Sequence, residues 1–241
     1  MDLRLEQLKT WLTQTLSEPI TNLEVASADA SFRRYFRVFT NTQTLIAMDA
    51  PPEKENSALF INSAKFLKSL GVNTPNIVAH DLELGFVLLE DFGDVTLLDN
   101  VRSKPDCLYS NAMEELIILQ SASLQQSSDT WHPSSYDGQK LVTEMSLFRD
   151  WFLERHLALS VDETSASVWL MTQQLLTSNC LQQPQVWVHR DFHSRNLMVL
   201  ESNSKPLGVI DFQDCVIGPI AYDLASIFKD CYIEWPRSQQ H

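Results

Sequence analysis

The stretch "VWVHRDFHSRNLMVL", residues 186–200, places a dense group of polar and charged residues between two apolar runs. A metal site, a phosphate-binding site and an ordinary solvated turn are three explanations for such a group. Downstream, the apolar runs "LMVL" (197–200) and "LGVI" (207–210) are separated by the turn-forming segment "ESNSKP". We therefore predict that the two runs form an antiparallel hairpin immediately after the polar group.

The predicted hairpin brings three oxygen-bearing side chains to its open end. If residues 197–200 pair with 207–210, Asn196 faces Asp211, give or take a slip of register, and Asp191 lies on the loop entering the same end. Oxygen ligands without sulfur suit Mg²⁺, or Mn²⁺, better than zinc, and Mg²⁺ takes its remaining ligands from water and phosphate oxygens. The residues therefore predict a magnesium–phosphate site.

The spacing of these residues is that of a kinase catalytic loop. "HRDFHSRN" is H-R-D-x-x-x-x-N, and "DFQD" begins at Asp211, one hairpin later. In kinases the first Asp accepts the proton of the acceptor hydroxyl, and the Asn and the later Asp hold metal. We assign these roles to Asp191, Asn196 and Asp211. Arg190 or Arg195 could add positive charge near the transferring phosphate.

Three residues in or near this loop have alternative interpretations: His189, His193 and Asp214. His189 and His193 stand four residues apart, which permits a zinc site, but no Glu follows the first His and the pair lies on a loop. We therefore interpret His189 as a residue that anchors the loop. Asp214 is either a second carboxylate near the metal or a surface acid.

The composition of the chain limits the classes of protein that fit. Six glycines among 241 residues, none before Gly71, leave no P-loop and no dinucleotide fingerprint. Four cysteines without a CxxC pair indicate free thiols. A formal charge of −13 argues against nucleic acid and anionic membranes as partners. With no signal peptide and no apolar run of about 20 residues, we expect a cytoplasmic protein.

The order of the patterns along the chain predicts an α+β fold with two lobes. Strand-like segments and one helix fill the first ninety residues, helical patterns continue to about residue 180, and strands return before a last helix from about Ala221. We place a β-rich lobe at residues 1–92. A mostly helical lobe that carries the catalytic loop and the hairpin follows at 93–241.

Several segments resemble one family along nearly the whole chain. "HRDFHSRNLMV" and "GVIDFQDCVIGPIAYDLAS" resemble the aminoglycoside phosphotransferase-like kinases, which have a protein-kinase-like fold. Other segments narrow the resemblance to the bacterial anomeric kinases of N-acetylmuramate and N-acetylglucosamine used in cell-wall (peptidoglycan) recycling; these segments are "SADASFRRYFRV", "MDAPPEKEN", "GFVLLEDFGDVTLLD" and "DCYIEWPR".

The resemblance implies several features of the site. ATP would bind between the lobes with adenine at the hinge formed by Glu90, Asp91 and Phe92, and its γ-phosphate would move to the anomeric hydroxyl of the sugar. Asp223, at the start of the last helix, would brace the catalytic loop. The partners would be a nucleotide and a sugar, with a monomer as the default expectation.

The first lobe departs from the pattern of many kinases of this fold. The third strand carries Met48 and Asp49 where a lysine usually holds the phosphates. The nucleotide loop has no glycine, although Ser31 could donate to a phosphate. We therefore expect one of the nearby arginines, Arg33, Arg34 or Arg37, to replace the lysine. Glu55 could be the helix carboxylate that pairs with that lysine in relatives, and without the lysine we expect it to be a solvated acid at a helix start.

The second departure is length, because the family usually continues with further helices after "DCYIEWP". We interpret these C-terminal helices as truncated, which leaves part of the acceptor wall to the aromatic segment containing Phe148, Arg149, Trp151 and Phe152. Two alternatives to an amino-sugar kinase stay open: a kinase for an aminoglycoside or another hydroxylated metabolite, and a nucleotide-binding pseudokinase that acts as a partner module.

Overall fold

The computed structural model describes residues 2–28, 32–122, 133–160, 162–202 and 204–237. The contacts among them divide the chain into two compact units. The first unit contains the described residues 2–118 and 194–213, and the second contains 119–122, 133–193 and 214–237. The hairpin segment therefore belongs to the first unit, while residue 191 belongs to the second. The boundary expected at residue 92 stays a prediction.

Strands and helices follow one another as an α+β fold, as predicted. The strands of the first half are β1 (Asn22–Ala28), β2 (Arg34–Phe39), β3 (Thr44–Asp49), β4 (Ile77–Asp81) and β5 (Phe86–Glu90). Four short strands follow: β6 (Gln185–Val188), β7 (Leu197–Val199), β8 (Leu207–Val209) and β9 (Val216–Pro219). The helices are α1 (Leu3–Thr15), α2 (Ser57–Ser69), α3 (Leu97–Asn100), α4 (Pro105–Ser121), α5 (Gly138–Leu147), a π-helix (Phe148–His156), α6 (Glu163–Gln182) and α7 (Ala221–Phe228).

The first unit is built on an antiparallel sheet in the order β1-β2-β3-β5-β4. One face of this sheet packs against α1, whose Leu8 and Leu12 are fully buried against Phe36, Ala47 and Leu88 of the strands. The i, i+4 spacing of leucines in α1 predicts this face. Asp2 caps the helix by accepting a hydrogen bond from the Leu5 backbone at 3.1 Å.

The hairpin in the first unit is the predicted one. Strands β7 and β8 pair antiparallel, with Leu197 opposite Val209 and Val199 opposite Leu207. The loop after α2 holds this hairpin: the Asn73 side chain donates to the Leu207 carbonyl, and the Val209 N–H donates to the Asn73 carbonyl, both at 2.8 Å. The segment before α3 holds the other strand, because the Val199 N–H donates to the Val95 carbonyl at 2.8 Å.

The second unit is mostly helical and contains a two-stranded ladder. Strand β6 pairs antiparallel with β9, and its Val188 packs with Tyr136, Leu141 and Val216 in a buried cluster. The sequence patterns did not indicate β9, because "VIGP" is short and contains Gly and Pro. They also indicated an α-helix where the chain forms the π-helix. Within the described ranges, no helix is both long enough and apolar enough to cross a membrane.

Candidate active site

The open end of the β7–β8 hairpin brings together the two predicted metal ligands. The Asn196 side-chain amide lies 3.4 Å from Oδ2 of Asp211, and the Ile210 N–H donates to the Asn196 carbonyl at 3.0 Å. The predicted proximity of the two side chains is therefore confirmed. The register differs by one residue from the predicted pairing, since Leu197 lies opposite Val209 and not residue 210.

The backbone of Asp211 explains why the one-residue difference does not separate the pair. Asp211 adopts a left-handed conformation, with φ at 62°, which turns its carboxylate relative to an extended residue. Gln213 then donates to Asp211 Oδ1 at 2.8 Å and fixes its orientation. A non-glycine residue in this conformation costs about 1–3 kcal/mol and is characteristic of functional sites.

The donor set at this end of the hairpin fits a hard divalent cation. Asn196 and Asp211 are both half-buried and offer amide and carboxylate oxygens to Mg²⁺ or Mn²⁺. Among the described residues, no group of three or more His, Cys, Asp or Glu side chains is arranged to hold a metal ion. The rings of the two loop histidines instead meet aromatic rings, His189 against Phe192 and His193 against Tyr232.

The catalytic loop in the second unit is fixed by a buried carboxylate. Asp223, in the first turn of α7, is fully buried and accepts the backbone N–H groups of His189 at 2.7 Å and Arg190 at 3.0 Å. Burial raises the pKa of Asp223 to about 7, and the two N–H donors oppose this shift. These contacts are the bracing arrangement that the resemblance implies, and they end one residue before Asp191.

Asp191 itself is exposed, so its carboxylate is accessible to solvent, which its predicted role as a base requires. Its carbonyl accepts the His193 N–H at 2.9 Å, which forms a tight turn after it. Arg195 and Asp214 are also exposed, so the two interpretations of Asp214 both stand. The approach of Asp191 to the Asn196–Asp211 pair stays a prediction.

Arg190, in contrast, forms an ion pair with a residue that the sequence patterns did not indicate. Its guanidinium donates to Glu144 of α5 at 2.8 Å, 46 positions away in the chain. The hydroxyls of Tyr136 and Tyr222 also donate to Glu144. No local spacing signals such a contact, because its members come from four separate segments.

Each of the three candidate arginines of the first unit binds one or two carboxylates, and no carboxylate is shared between them. Arg33 donates to Glu55 at 3.1 Å, and the Glu55 side chain is only 15% exposed. The expectation that Glu55 is solvated is therefore wrong, because its partner lies 22 positions earlier and is invisible to helix-start preferences. Arg34 contacts the buried Asp49 at 2.5 Å and also contacts Asp2.

The sheet register places these arginines relative to Met48, the position of the missing lysine. Arg34 is paired with Asp49, and the two side chains share the sheet face that packs on α1. Arg37 is paired with Ile46, two residues before Met48, and therefore shares the face of Met48. Arg33 precedes the first residue of β2. Ser31, the other predicted phosphate contact, lies outside the described residues.

The predicted hinge is fixed at each of its residues. Glu90 accepts the Asn76 N–H at 3.0 Å, and Asp91 accepts a two-pronged contact from Arg37 at 2.7 and 3.1 Å. The Phe92 ring lies against Gly208 of β8, where a methyl group would approach Cδ2 of the ring to 2.4 Å. The hinge is therefore bound to both the sheet and the hairpin.

The aromatic segment expected to line the acceptor site forms the π-helix of the second unit. The Phe148 ring stacks on Phe152 at 5.3 Å and on Trp169 of α6 at 6.2 Å. A groove of about 320 Å³ runs between the π-helix and α6, lined by Arg149, Leu153, Thr164, Ser165, Val168, Trp169 and Thr172. The α6 contribution was not predicted from the sequence.

Comparison with solved structures defines the class of fold. The chain superposes on aminoglycoside 2'-phosphotransferase-IIIa in its GDP complex with a TM-score of 0.68, covering 95% of this chain and 79% of that one at 18% identity. At this identity the likeness establishes the fold alone, which is a two-lobed kinase-like α+β fold.

Sequence comparison identifies the family within that class. Residues 22–241 match the phosphotransferase enzyme family, and the chain belongs to it. The chain is 39% identical to the N-acetylmuramate/N-acetylglucosamine kinase of Pseudomonas aeruginosa, covering 100% of this chain and 72% of that protein. It is 40% identical to the protein of the same name from Pseudomonas putida, covering 99% and 71%. The protein is a small-molecule kinase.

Proposed function

We propose that this kinase transfers the γ-phosphate of ATP, with Mg²⁺, to the anomeric hydroxyl of N-acetylmuramate or N-acetylglucosamine. The observation that carries the proposal is the side-by-side placement of Asn196 and Asp211 at 3.4 Å, at the end of a hairpin that follows a braced H-R-D loop. The names of the two Pseudomonas relatives supply the acceptor.

The proposed chemistry divides between positioning and charge neutralisation. Asp191 accepts the proton of the attacking hydroxyl, and Asn196 and Asp211 hold the metal. When bound, Mg²⁺ neutralises charge on the phosphate oxygens. The hinge residues Glu90, Asp91 and Phe92 contact the adenine in this proposal, and Ser31 and Arg33 serve the phosphates, whereas Arg34 lies on the face that packs on α1. His189, Arg195 and Asp223 support the loop.

The ion pairs of the three arginines indicate which of them could replace the missing lysine. Each of the three is held by carboxylates, and Arg37 is the one that lies on the face of Met48. Its contact with Asp91 links that face to the hinge. We also infer that the enzyme works in the cytoplasm as a monomer, with the nucleotide and the sugar as its partners.

The proposal is tested by a phosphorylation screen of the purified protein. N-acetylmuramate, N-acetylglucosamine and a panel of aminoglycosides are incubated with ATP, and sugar phosphates are detected by ³¹P NMR. We expect an anomeric sugar phosphate, its loss with a chelator, and its return with Mg²⁺ or Mn²⁺. Phosphorylation of aminoglycosides alone would refute the proposed acceptor, and ATP binding without any transfer would indicate a pseudokinase.

The Asp191→Ala variant tests the proposed base. We expect kcat to fall roughly 10²- to 10⁴-fold, because general base catalysis contributes about that factor. Asp106→Ala, which removes another exposed carboxylate in the first turn of α4, is the matched control and should retain wild-type kcat. An unchanged kcat in Asp191→Ala would remove Asp191 from the mechanism.

A further inference from the structure

Arg190 has a backbone conformation that its surroundings must maintain. Its φ is 79°, in the left-handed region, and it immediately precedes the proposed base Asp191. Such a conformation is strained for a non-glycine residue and persists only where other contacts fix it. The backbone contact is the N–H of Arg190 with Asp223. The side-chain contact is the guanidinium with Glu144.

Hydrogen bonds to both of its oxygens orient the Glu144 carboxylate toward Arg190. One carboxylate oxygen, Oε1, accepts Arg190 Nη2 at 2.8 Å, and the other, Oε2, accepts the hydroxyls of Tyr136 and Tyr222, the latter at 3.2 Å. Tyr136 is 2% exposed, and its N–H donates to the Ile217 carbonyl at 2.7 Å. Its ring meets the Tyr222 ring edge-on, with centroids 5.1 Å apart.

The two contacts of Arg190 both lead to the first turn of α7, the backbone contact directly and the side-chain contact through Glu144. Tyr222, which holds Glu144, is the residue before Asp223, which holds the Arg190 backbone. The contacts therefore form a closed ring: the Arg190 side chain to Glu144, Glu144 to Tyr222, Tyr222 through the chain to Asp223, and Asp223 back to the Arg190 N–H. A ring of this kind fixes both the side chain and the backbone of one residue.

We propose that Glu144 is a positioning residue for phosphoryl transfer, which holds the turn at Arg190 and thereby the orientation of Asp191. This inference rests on the proposed function, in which Asp191 is the base. The role differs from simple stabilisation: the Arg190 and Glu144 side chains are 31% and 32% exposed, and ion pairs near a surface contribute little to stability. A displaced catalytic group, in contrast, can lower the rate about 100-fold.

The Glu144→Gln variant, which keeps the size of the side chain and removes its charge, tests the proposal in the intact protein. We expect kcat to fall roughly 10- to 100-fold, with the KM for ATP within about twofold of wild type and a melting temperature within a few degrees of it. Glu144→Asp, which restores the charge, should recover part of the lost kcat. Glu6→Gln, which breaks the exposed Lys9–Glu6 pair on α1, should match wild type in every measurement.

A double-mutant cycle with Arg190→Ala shows whether Glu144 acts through Arg190. The loss in kcat from Glu144→Gln should vanish in the Arg190→Ala background. A kcat for Glu144→Gln within twofold of wild type, or losses that multiply, would overturn the proposal. If Glu144→Gln fails to fold, Tyr222→Phe replaces it, because this variant removes the hydroxyl that donates to Glu144. The same changes in kcat, KM and melting temperature are then expected for Tyr222→Phe.

Hydrogen exchange separates this proposal from the proposed function. If the wild-type protein phosphorylates no sugar, the proposed function fails, and the exchange rate of the Arg190 amide then decides the role of Glu144. An amide that exchanges at least about tenfold faster in Glu144→Gln than in wild type supports the positioning role. An unchanged rate refutes it.

Discussion

Two residues at the candidate site, Arg190 and Asp211, carry left-handed backbone conformations with φ of 79° and 62°. Neither is glycine, so each conformation is maintained by specific partners. For Arg190 these are Asp223 and Glu144, and for Asp211 the partner is Gln213. A strained backbone therefore occurs in each unit at a predicted site residue, next to the proposed base in the second unit and at a proposed metal ligand in the first.

The buried carboxyl of Asp223 makes stability depend on pH. Burial raises its pKa from the ordinary value of 3.8 to about 7 in the folded protein. Between these values the unfolded chain has released the proton and the folded chain retains it, so the contribution to stability is full below about pH 4 and is lost as the pH rises through about 7. In Asp223→Asn, which cannot titrate, this dependence of the unfolding free energy on pH should be absent.

The measurement is urea unfolding of both proteins at a series of pH values from 4 to 8. The difference in unfolding free energy between wild type and Asp223→Asn should change in favour of Asp223→Asn as the pH rises. A difference that is constant across the range would show that the carboxyl does not titrate there. Asp106→Asn, which changes an exposed acid, serves as the control for net charge.

Individual elements were predictable where the signal is local. The leucine spacing of α1 and the alternation in β1 to β3 follow from short-range patterns, and so does the hairpin with the turn segment at 201–206. The π-helix and β9 were not predictable, since the π-helix is only nine residues long, too short for its wider spacing to show in the sequence, and β9 is four residues long.

The turn between β4 and β5 packs closely against the backbone at Ala50. Gly85 has a φ of 72°, and an added methyl group would lie 1.9 Å from the Ala50 carbonyl oxygen. Gly93 has a similar φ of 80°, but nothing lies within 4 Å of an added methyl group. Gly85→Ala therefore suffers both the conformational strain and a collision with backbone, whereas Gly93→Ala suffers the strain alone.

We expect Gly93→Ala to lower the unfolding free energy by about 1 kcal/mol and Gly85→Ala by at least about 3 kcal/mol. Urea unfolding followed by circular dichroism measures both. Equal effects of the two substitutions would show that strain, and not close packing against Ala50, determines the cost.

Across the whole molecule, the contacts that the sequence did not reveal are those between distant segments. Asp49 with Arg34, Glu55 with Arg33, and Glu144 with Arg190 join positions 15 to 46 residues apart. Composition predicts that charges are numerous but not which of them meet. The proximity of Asn196 and Asp211 was predictable for the opposite reason, since both flank a single hairpin.

The first compact unit is discontinuous in sequence, and this has a testable effect on stability. Residues 2–118 are completed by the hairpin at 194–213, whose Leu197, Leu207 and Val209 are buried. Residues 1–118 expressed alone should therefore be less stable by several kcal/mol, since each buried side chain contributes about 1.5–3 kcal/mol.

Hydrogen exchange of the β3 and β5 amides in the fragment and in the full chain measures this difference. A synthetic peptide of residues 194–213, added in trans, should restore part of the protection in proportion to its concentration. A peptide with Asp substituted at Leu197 and Leu207 is the matched control. Full protection in the fragment without any peptide would contradict the prediction.

The same discontinuity affects how the protein can fold while it is being synthesised. The sheet and α1 leave the ribosome early, but the β7–β8 hairpin that completes their unit follows only after residues 119–193 have been made. At about 5–20 residues per second, that delay is roughly 4–15 s. During this interval the Asn73 and Val95 carbonyls lack the hairpin N–H groups from which they accept in the folded protein, and such transiently unpaired edges favour aggregation.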